Sequence, residues 1–491
     1  MAISGIINTN VNSLNTLNAL NSTSSSLSTY IQQLSTGKQI NGPADNPAGY
    51  AISQRFQTQI NGLNQAASNG NQAISLVQTA TGALQNETNL LQQIRTIAVQ
   101  SANGSNTSQD RASLQGVVSQ LLAQIQTIAT QTQFNGQNLL DGTFSGQQFQ
   151  VGANANQIIN VSVSNANSNA IGNNVMGTSG TIYSSTGAAA SNGYALGQAF
   201  TITSGAGAFT AGTVTVSGSA GASGVAVTAT ESAQSIAAAF NAISQQTGVT
   251  ATANTSVAFT VATGSVSFTL GNGNTTNQTN AVNISANVTS LDPTGLSGLV
   301  AAINNATAQT GIAASVNSNN QLVLTQSQGD NISITNFTGT ATLSAGGTTV
   351  SSGATTALVQ GFTQLQSTQG YSLGNGVAIG LGNISSLAAV STVDVSSVQG
   401  ANQAIAIIDQ AINTLNQQGG ALGAIQNRIQ ASVQNVQTTA TNLQAAQSVV
   451  QDANIAQATT QLSKYQILQQ AGISTLAQAN SLQQSYLKLL P

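Results

Sequence analysis

Apolar side chains recur every three or four residues over roughly the first 130 positions, alternate through the middle of the chain, and return to helical spacing near position 397. In the first zone Val11, Leu14, Leu17, Leu20, Leu27, Ile31 and Leu34 predict one helix, which Gly37 and the Gly42, Pro43 and Pro47 cluster stop. A second seam, Ile60, Leu63, Ala67, Ile74, Val77, Leu84 and Leu91, holds an a/d pattern long enough for a rod of roughly 60 Å. Asn103, Gly104 and Asn106 turn the chain, and Leu114, Val118, Leu121, Ile125 and Ile128 carry a third helix back. Asn135-Gly136 and Asp141-Gly142 then read as turn dipeptides of the hairpin kind.

The last zone mirrors the first. Leu422, Ile425, Ile429, Val433, Val436, Ala440, Leu443 and Val450 form a seam that Ile455, Leu462, Leu468, Ile473, Leu476 and Leu482 prolong. Neither seam can bury itself, so the two end zones are expected to pack side by side. Between them, about 166–396, runs such as Phe200–Thr203, Val214–Val216, Val225–Thr228 and Val266–Leu270 predict strands among Gly, Ser and Asn turns. This insert repeats itself at an offset of 63: Ala237–Asn241 and Gln246–Val249 match Val300–Asn304 and Gln309–Ile312, and Phe259 and Val261 fall opposite Leu322 and Leu324. Each copy reads as a short helix, a glycine turn and a pair of strands, in modules of about 190–280 and 281–396. The fold class is therefore multidomain α+β, with long helices from both chain ends and a β-rich insert.

Charge changes the picture most. Of 491 residues only 7 are Lys or Arg and 10 are Asp or Glu, about 3% of the chain, with a net charge of -3. No Lys or Arg occurs between Arg111 and Arg428, so a cationic surface for nucleic acid is missing. His and Cys are absent, which excludes His- and Cys-based metal sites, Ser-His and Cys-His nucleophiles and disulfides. No cofactor, metal or enzymatic chemistry is called for. Apolar residues make up 40%, yet no run of about 18 spans a bilayer and no basic n-region opens the chain, so if the protein is exported another route is expected to carry it.

Gly271–Asn274 and Gly374–Gly376 lack the Lys and Ser/Thr of a phosphate loop and read as turns. The insert's carboxylates, Glu231, Asp292, Asp330 and Asp394, are far apart in sequence, so a catalytic or calcium-binding cluster would have to be assembled by folding. Arg55, Arg95, Arg111 and Arg428 sit on predicted helices, where a buried guanidinium needs a partner such as Glu87, Asp110 or Asp409.

The chain ends resemble bacterial flagellin. The matching segments are Ile7–Asn10, Leu34–Asn41 with Ala44-Asp45 and Ala48-Gly49, Gln131–Gly136, Gln150–Asn154, and, near the C-terminus, Ile467–Ser474 and Leu476–Asn480. The resemblance implies an extracellular flagellar filament of many copies. Residues 1–45 and 451–491 would form its core, packed through Leu14, Leu20, Leu27, Ile31, Leu34, Leu462, Leu468, Ile473, Leu476 and Leu482. Residues 46–165 and 397–450 would form the tube wall through Leu63, Ile74, Val77, Leu84, Leu91, Leu121, Ile125, Ile429, Val433, Val436 and Leu443, with 166–396 outside. Implied partners are the chain itself, the type III export apparatus, an export chaperone, the filament cap and hook-associated junction proteins, with no nucleic acid and no membrane insertion. A hook-filament junction protein, or an adhesin acting through its insert, is the alternative.

In flagellins the segment matching Leu91–Ala98 is read by a Toll-like receptor. Here Gln93 stands where Arg is usual and Thr96 where Glu is, beside Leu91, Ile94, Arg95 and Ile97, which implies altered recognition. The end helices read as short, uncapped and weakly amphipathic, hence marginal in isolation. With charged side chains largely replaced by Gln, Asn, Ser and Thr, subunit contacts are expected to rest on apolar burial and amide hydrogen bonds, and to tolerate acid.

Overall fold

The computed structural model describes residues 9–176, 211–228, 231–273, 278–317, 319–345, 348–350, 352, 356–359, 361–376, 381 and 383–487. The expected strand Phe200–Thr203, the start of the first insert module, the motif residues Ile7 and Asn8, and Asn274 lie outside them.

The chain opens with three helices, α1 (Val11–Thr36), α2 (Pro47–Ala102) and α3 (Ser108–Gln131). Two small strand pairs follow, β1 (Gln133–Phe134) with β2 (Gln137–Asn138), and β3 (Gln147–Gln150) with β4 (Ile158–Val161). The insert then runs β5 (Gly172–Val175), β6 (Gly212–Gly218), β7 (Gly221–Val227), α4 (Ala233–Ala242), α5 (Ser244–Thr247), β8 (Thr250–Val261), β9 (Gly264–Gly273) and β10 (Gln278–Val288). It continues through α6 (Pro293–Asn305), α7 (Thr307–Thr310), β11 (Ile312–Val316), β12 (Leu322–Gln326), β13 (Ile332–Gly339), β14 (Leu343–Ala345) and β15 (Thr348–Val350). The strands β16 (Thr356–Val359), β17 (Phe362–Ser367), β18 (Ser372–Gly374) and β19 (Ser386–Ala389) complete it, before α8 (Val398–Gln451) and α9 (Ile455–Leu487).

The helix boundaries have local causes. The Asn10 side chain accepts the Ser13 N–H at 3.0 Å to cap α1, and Gly37 closes it in the left-handed region at φ 70°. With 26 and 33 residues, α1 and α9 are not short, and α1 is capped at both ends, which corrects the expectation of short, uncapped end helices. Pro47 opens α2 instead of stopping a helix: proline's missing N–H costs nothing in the first turn, and Asn46 accepts the Gly49 N–H at 2.9 Å. Thr107 and Asp110 form a reciprocal capping box at the start of α3. Asn135-Gly136 is the two-residue turn between β1 and β2, with φ of 52° and 78°. Asp141-Gly142 joins no paired strands; Asp141 instead accepts the Thr143 N–H and O–H at 2.9 and 2.6 Å, holding a local turn.

The described chain forms two compact units. The first contains residues 1–78, 146–162 and 423–491. In it α1 and α9 pack antiparallel: the Asn10 side chain donates to the Ala479 carbonyl at 3.2 Å, and Tyr30 stacks on Tyr465 with ring centroids 5.5 Å apart. Gly472 allows this approach, because a Cβ there would stand 3.2 Å from Leu20 Cδ1. The Gln39 and Ala453 N–H groups donate to the Gln451 and Gly37 carbonyls at 2.7 and 2.9 Å, tying the α1–α2 and α8–α9 connections together. In the same unit the N-terminal part of α2 lies against the C-terminal part of α8, Gly70 meeting Val433 and the Gln447 amide donating to the Ser53 carbonyl at 3.3 Å.

The second unit contains residues 79–145 and 163–422. Its helical part buries Leu84, Leu91, Ile94, Ala98, Val118, Ile125, Ala129, Ile408, Ala411 and Leu415. Its described strands pair antiparallel, in the orders β10-β9-β13-β16, β18-β6-β7 and β11-β12-β8-β17-β5-β19, with β14 attached to β8 and β15 to β14. One core gathers Phe259, Phe268, Leu270, Leu299, Leu324 and Phe337, and α6 packs over it. A second gathers Val214, Val216, Ile236, Phe240, Leu365 and Leu373 around α4.

The internal repeat is visible in atomic detail. Asn241 brackets Ala251, accepting its N–H at 2.8 Å and donating to its carbonyl at 2.8 Å; Asn304 does the same to Ala314 at 2.7 and 2.9 Å. Gly248 and Gly311 both take the left-handed conformation that ends the short helix, at φ 73° and 69°. The copies then diverge. The second folds into the β11–β12 hairpin, whose turn Asn317 closes by accepting from the Asn319 and Gln321 N–H groups. The first continues through the equivalent positions as the single twelve-residue β8, so Phe259 pairs directly with Leu322.

Candidate functional site

The α1–α9 pair is the part of the molecule that looks unfinished. None of the described residues of α1 is buried, and Leu14 and Ile31 are each 51% exposed. On α9, Leu468, Ile473 and Leu482 are exposed as well. Leu20, Leu27, Leu34, Leu462 and Leu476 are half-buried. The ten end-helix residues singled out from the sequence therefore form a partly covered seam plus an uncovered apolar surface. Two helices cover only one stripe of each other, and apolar area left in water gains about 25 cal/mol per Å² when something covers it.

The seam expected for the wall is different in kind. Leu63, Val77, Leu84, Leu91, Ile125, Ile429, Val433 and Val436 are buried within the single chain, while Ile74, Leu121 and Leu443 are half-buried. Ile74 sits beside the seam rather than in it, because Ala73, Leu76 and Val77 fill that level. In the 91–97 segment Leu91 and Ile94 are buried, Ile97 is half-buried, and Gln93, Arg95 and Thr96 face solvent.

The scarce charges are used locally. The Arg95 guanidinium meets Asp409 through two contacts, 2.6 and 3.4 Å, at an exposed site where such a pair contributes at most about 1 kcal/mol. Among the described residues Arg111 pairs with no carboxylate; it donates to the Ser101 and Asn103 carbonyls, both at 2.9 Å, satisfying acceptors that the end of α2 leaves open. Asp45, Asp110, Asp141, Asp292, Asp394 and Asp452 each accept hydrogen bonds from residues no more than four positions away. Those bonds hold the Asp110, Asp141 and Asp292 carboxyls below the usual aspartate value, led by the Thr107, Thr143 and Gly295 contacts respectively. Along α2, amide pairs take the place of the usual ion pairs: Gln57 to Asn61, Gln65 to Asn69 and Gln85 to Asn89, at 3.0, 2.9 and 3.2 Å.

Among the described residues, no cluster of three or more metal-ligating side chains occurs and no helix is long and apolar enough to cross a membrane. A cavity of about 460 Å³ beside β17 and α8 is lined by Gln366, Thr368, Gln410, Asn413 and Gln417 among others, with no ionisable side chain. Glu231, Asp292, Asp330 and Asp394 form no such metal-ligating cluster. What the structure presents is a long helical surface with apolar side chains still in water.

Comparison with known proteins identifies the family. The bacterial flagellin N-terminal helical region matches residues 7–145 and the C-terminal helical region matches 405–490. B-type flagellin of Pseudomonas aeruginosa is 38% identical over 99% of both chains. The chain belongs to the bacterial flagellin family. Flagellin B of Helicobacter pylori is 30% identical over 99% of both chains, and flagellin E of Vibrio cholerae 29% over 96% of both. The flagellin hook IN motif matches residues 265–328, the stretch from β9 into the β11–β12 hairpin. As a flagellin, the protein is a structural subunit of the extracellular flagellar filament, the polymer that serves swimming.

Sequence reasoning missed two features. The β5–β19 pair, Gly172 opposite Ala389 and Val175 opposite Ser386, brings the two ends of the insert side by side. Its Gly-Asn-Asn-Val strand carries no alternating pattern, so only the pairing reveals it. The second is Glu87, whose position in the Leu84–Leu91 seam is plain in the heptad count once an acidic side chain is accepted there.

Proposed function

We propose that α1 and α9 are the filament-core element of this flagellin, completed by the same helices of other copies, with the α2–α3–α8 helices as the tube wall and the insert outside. The observation that carries this is the uncovered apolar surface of α1 and α9 beside a wall seam already buried within one chain. On this reading each copy covers the next through a non-closing contact, which generates a helical polymer. The chain passes unfolded through the type III export apparatus with an export chaperone, elongates beneath a filament cap and abuts hook-associated junction proteins. The role is structural, with no catalytic step. Lateral contacts use apolar side chains and amides, since six of the ten carboxylates accept hydrogen bonds within their own turns and caps, Asp409 holds Arg95 and Glu87 is buried.

The strand pair at the base of the insert supplies the test. Val175 and Ser386 stand opposite each other, so an Asn-Gly turn joining them excises 176–385 without changing the distance the chain must span. The shortened subunit is expected to elongate filament seeds, seen by electron microscopy, near pH 7 and near pH 3. Loss of elongation in a folded shortened subunit contradicts the assignment of assembly to the helices; elongation of the full chain that fails below about pH 4, where free carboxylates protonate, contradicts uncharged contacts.

A further inference from the structure

Glu87 occupies a seam position of α2, three residues after Leu84 and four before Leu91, and all three are buried, Glu87 at 0% exposure. Among the described residues, neither of its carboxyl oxygens meets a hydrogen-bond donor. No ionisable residue other than Glu87 lies between Arg55 and Arg95 of α2, none between Arg111 and the end of α3, and none between Asp409 and Arg428 of α8. Of the charged groups at the margins of these helices, Arg95 is engaged with Asp409, Arg111 with carbonyls, Asp110 with Thr107, Asp141 with Thr143 and Asn138, and Asp394 with Ser396. An ionised carboxylate in that apolar seam has neither water, donor nor countercharge.

We propose that Glu87 is buried as a neutral carboxylic acid and acts as an acid-engaged lock on the helical part of the second unit, which tightens as pH falls and loosens as pH rises. Burial pushes the Glu87 carboxyl from 4.5 up to about 8. Below 4.5 the side chain is protonated whether the chain is folded or not, and the lock is fully engaged. Between 4.5 and about 8 the unfolded chain releases a proton that the folded chain keeps, so the folding equilibrium weakens tenfold per pH unit. Across the whole interval the loss is about three-thousandfold. The depressed Asp110, Asp141 and Asp292 carboxyls act in the opposite sense, but only as pH falls below 3.8, so the two windows do not overlap. Stability therefore peaks in mild acid. If the chain leaves a near-neutral cell unfolded, a clause that rests on the export reading above, the lock is weakest before export and strongest in an acidic exterior. The lock itself is a property of one chain and stands or falls without assembly.

The test is urea unfolding of the full-length subunit, followed by circular dichroism at pH values from about 4 to 9, for the unaltered chain, Glu87→Met and Glu87→Gln. The unaltered chain is expected to lose about three orders of magnitude in its folding constant across that range. Glu87→Met is expected to show no such slope and to be the more stable chain at pH 8. The infrared difference spectrum of native unaltered protein minus Glu87→Gln at pH 7 is expected to contain a protonated carboxylic acid carbonyl band, and the same band should vanish from the unaltered protein on unfolding, a readout that needs no variant. A flat profile in the unaltered chain, an equal slope in Glu87→Met, or absence of that band overturns the proposal.

Discussion

Replacing Leu468 and Ile473 together with asparagine is expected to stop elongation of filament seeds at subunit concentrations where the unaltered chain grows, while the far-ultraviolet circular dichroism of the free chain stays the same. Both side chains are exposed in the single chain, Leu468 at 43% and Ile473 at 54%, so their removal costs the isolated fold little. Covering the exposed half of a Leu or Ile contributes about 1 kcal/mol, and an asparagine amide covered without a partner costs at least as much again. Each site then contributes about 2 kcal/mol, roughly a thirtyfold rise in the critical concentration, and the pair close to a thousandfold if the sites act independently. Elongation by the double variant at the unaltered critical concentration would show that these side chains stay in water in the polymer. Sedimentation of polymer from a concentration series gives the answer directly.

The second large effect lies inside one chain. Gly70 of α2 faces Val433 of α8 so closely that an added Cβ falls within the Val433 Cγ2 methyl. Valine in a helix has one strongly preferred rotamer and cannot swing aside. Gly70→Ala is therefore expected to destabilise the first unit by about 1–3 kcal/mol from overpacking, despite the roughly 1 kcal/mol that alanine gains over glycine in helix propensity. Adding Val433→Ala should restore much of the loss, because the second truncation makes room for the first addition. Chemical unfolding of the two single variants and the double variant tests this; losses that simply add would mean that the two residues do not share the contact.

Much of the helical architecture is legible in the sequence because a three-four apolar spacing sustained over many turns has no other reading. Gly37 and Asn103-Gly104 mark helix ends for reasons of backbone conformation, and the structure ends α1 and α2 within a residue of them. Pro47 was ambiguous by nature: the same residue that breaks a helix interior starts one comfortably. Ile74 shows the limit of counting large side chains, since at that level the seam is made by Ala73, Leu76 and Val77. In the insert the repeat at offset 63 identifies the paired Asn241 and Asn304 brackets, but whether the following segment stays straight or folds back depends on one turn at Asn317. Pairings such as Ala251 with Leu365 link strands more than a hundred residues apart, and no local pattern encodes their register.

The candidate surface was legible for the same reason as the helices, and its uncovered state was not. A sequence shows that Leu14, Ile31, Leu468 and Ile473 repeat on a helix; only the packed chain shows that α1 and α9 leave them exposed. Glu87 illustrates the reverse. Among Leu84, Thr88 and Leu91 it reads as an acid available to pair with a buried arginine, yet it is buried without one and Arg95 is held by Asp409.

Hydrogen–deuterium exchange of the same preparation as free subunit and as polymer tests most directly whether α1 and α9 are completed by other copies. Amides of α1 and α9 are expected to exchange fast in the free subunit and to become strongly protected in the polymer, while β9 and β13 of the insert exchange alike in both. Equal protection of α1 and α9 in the two states would contradict it.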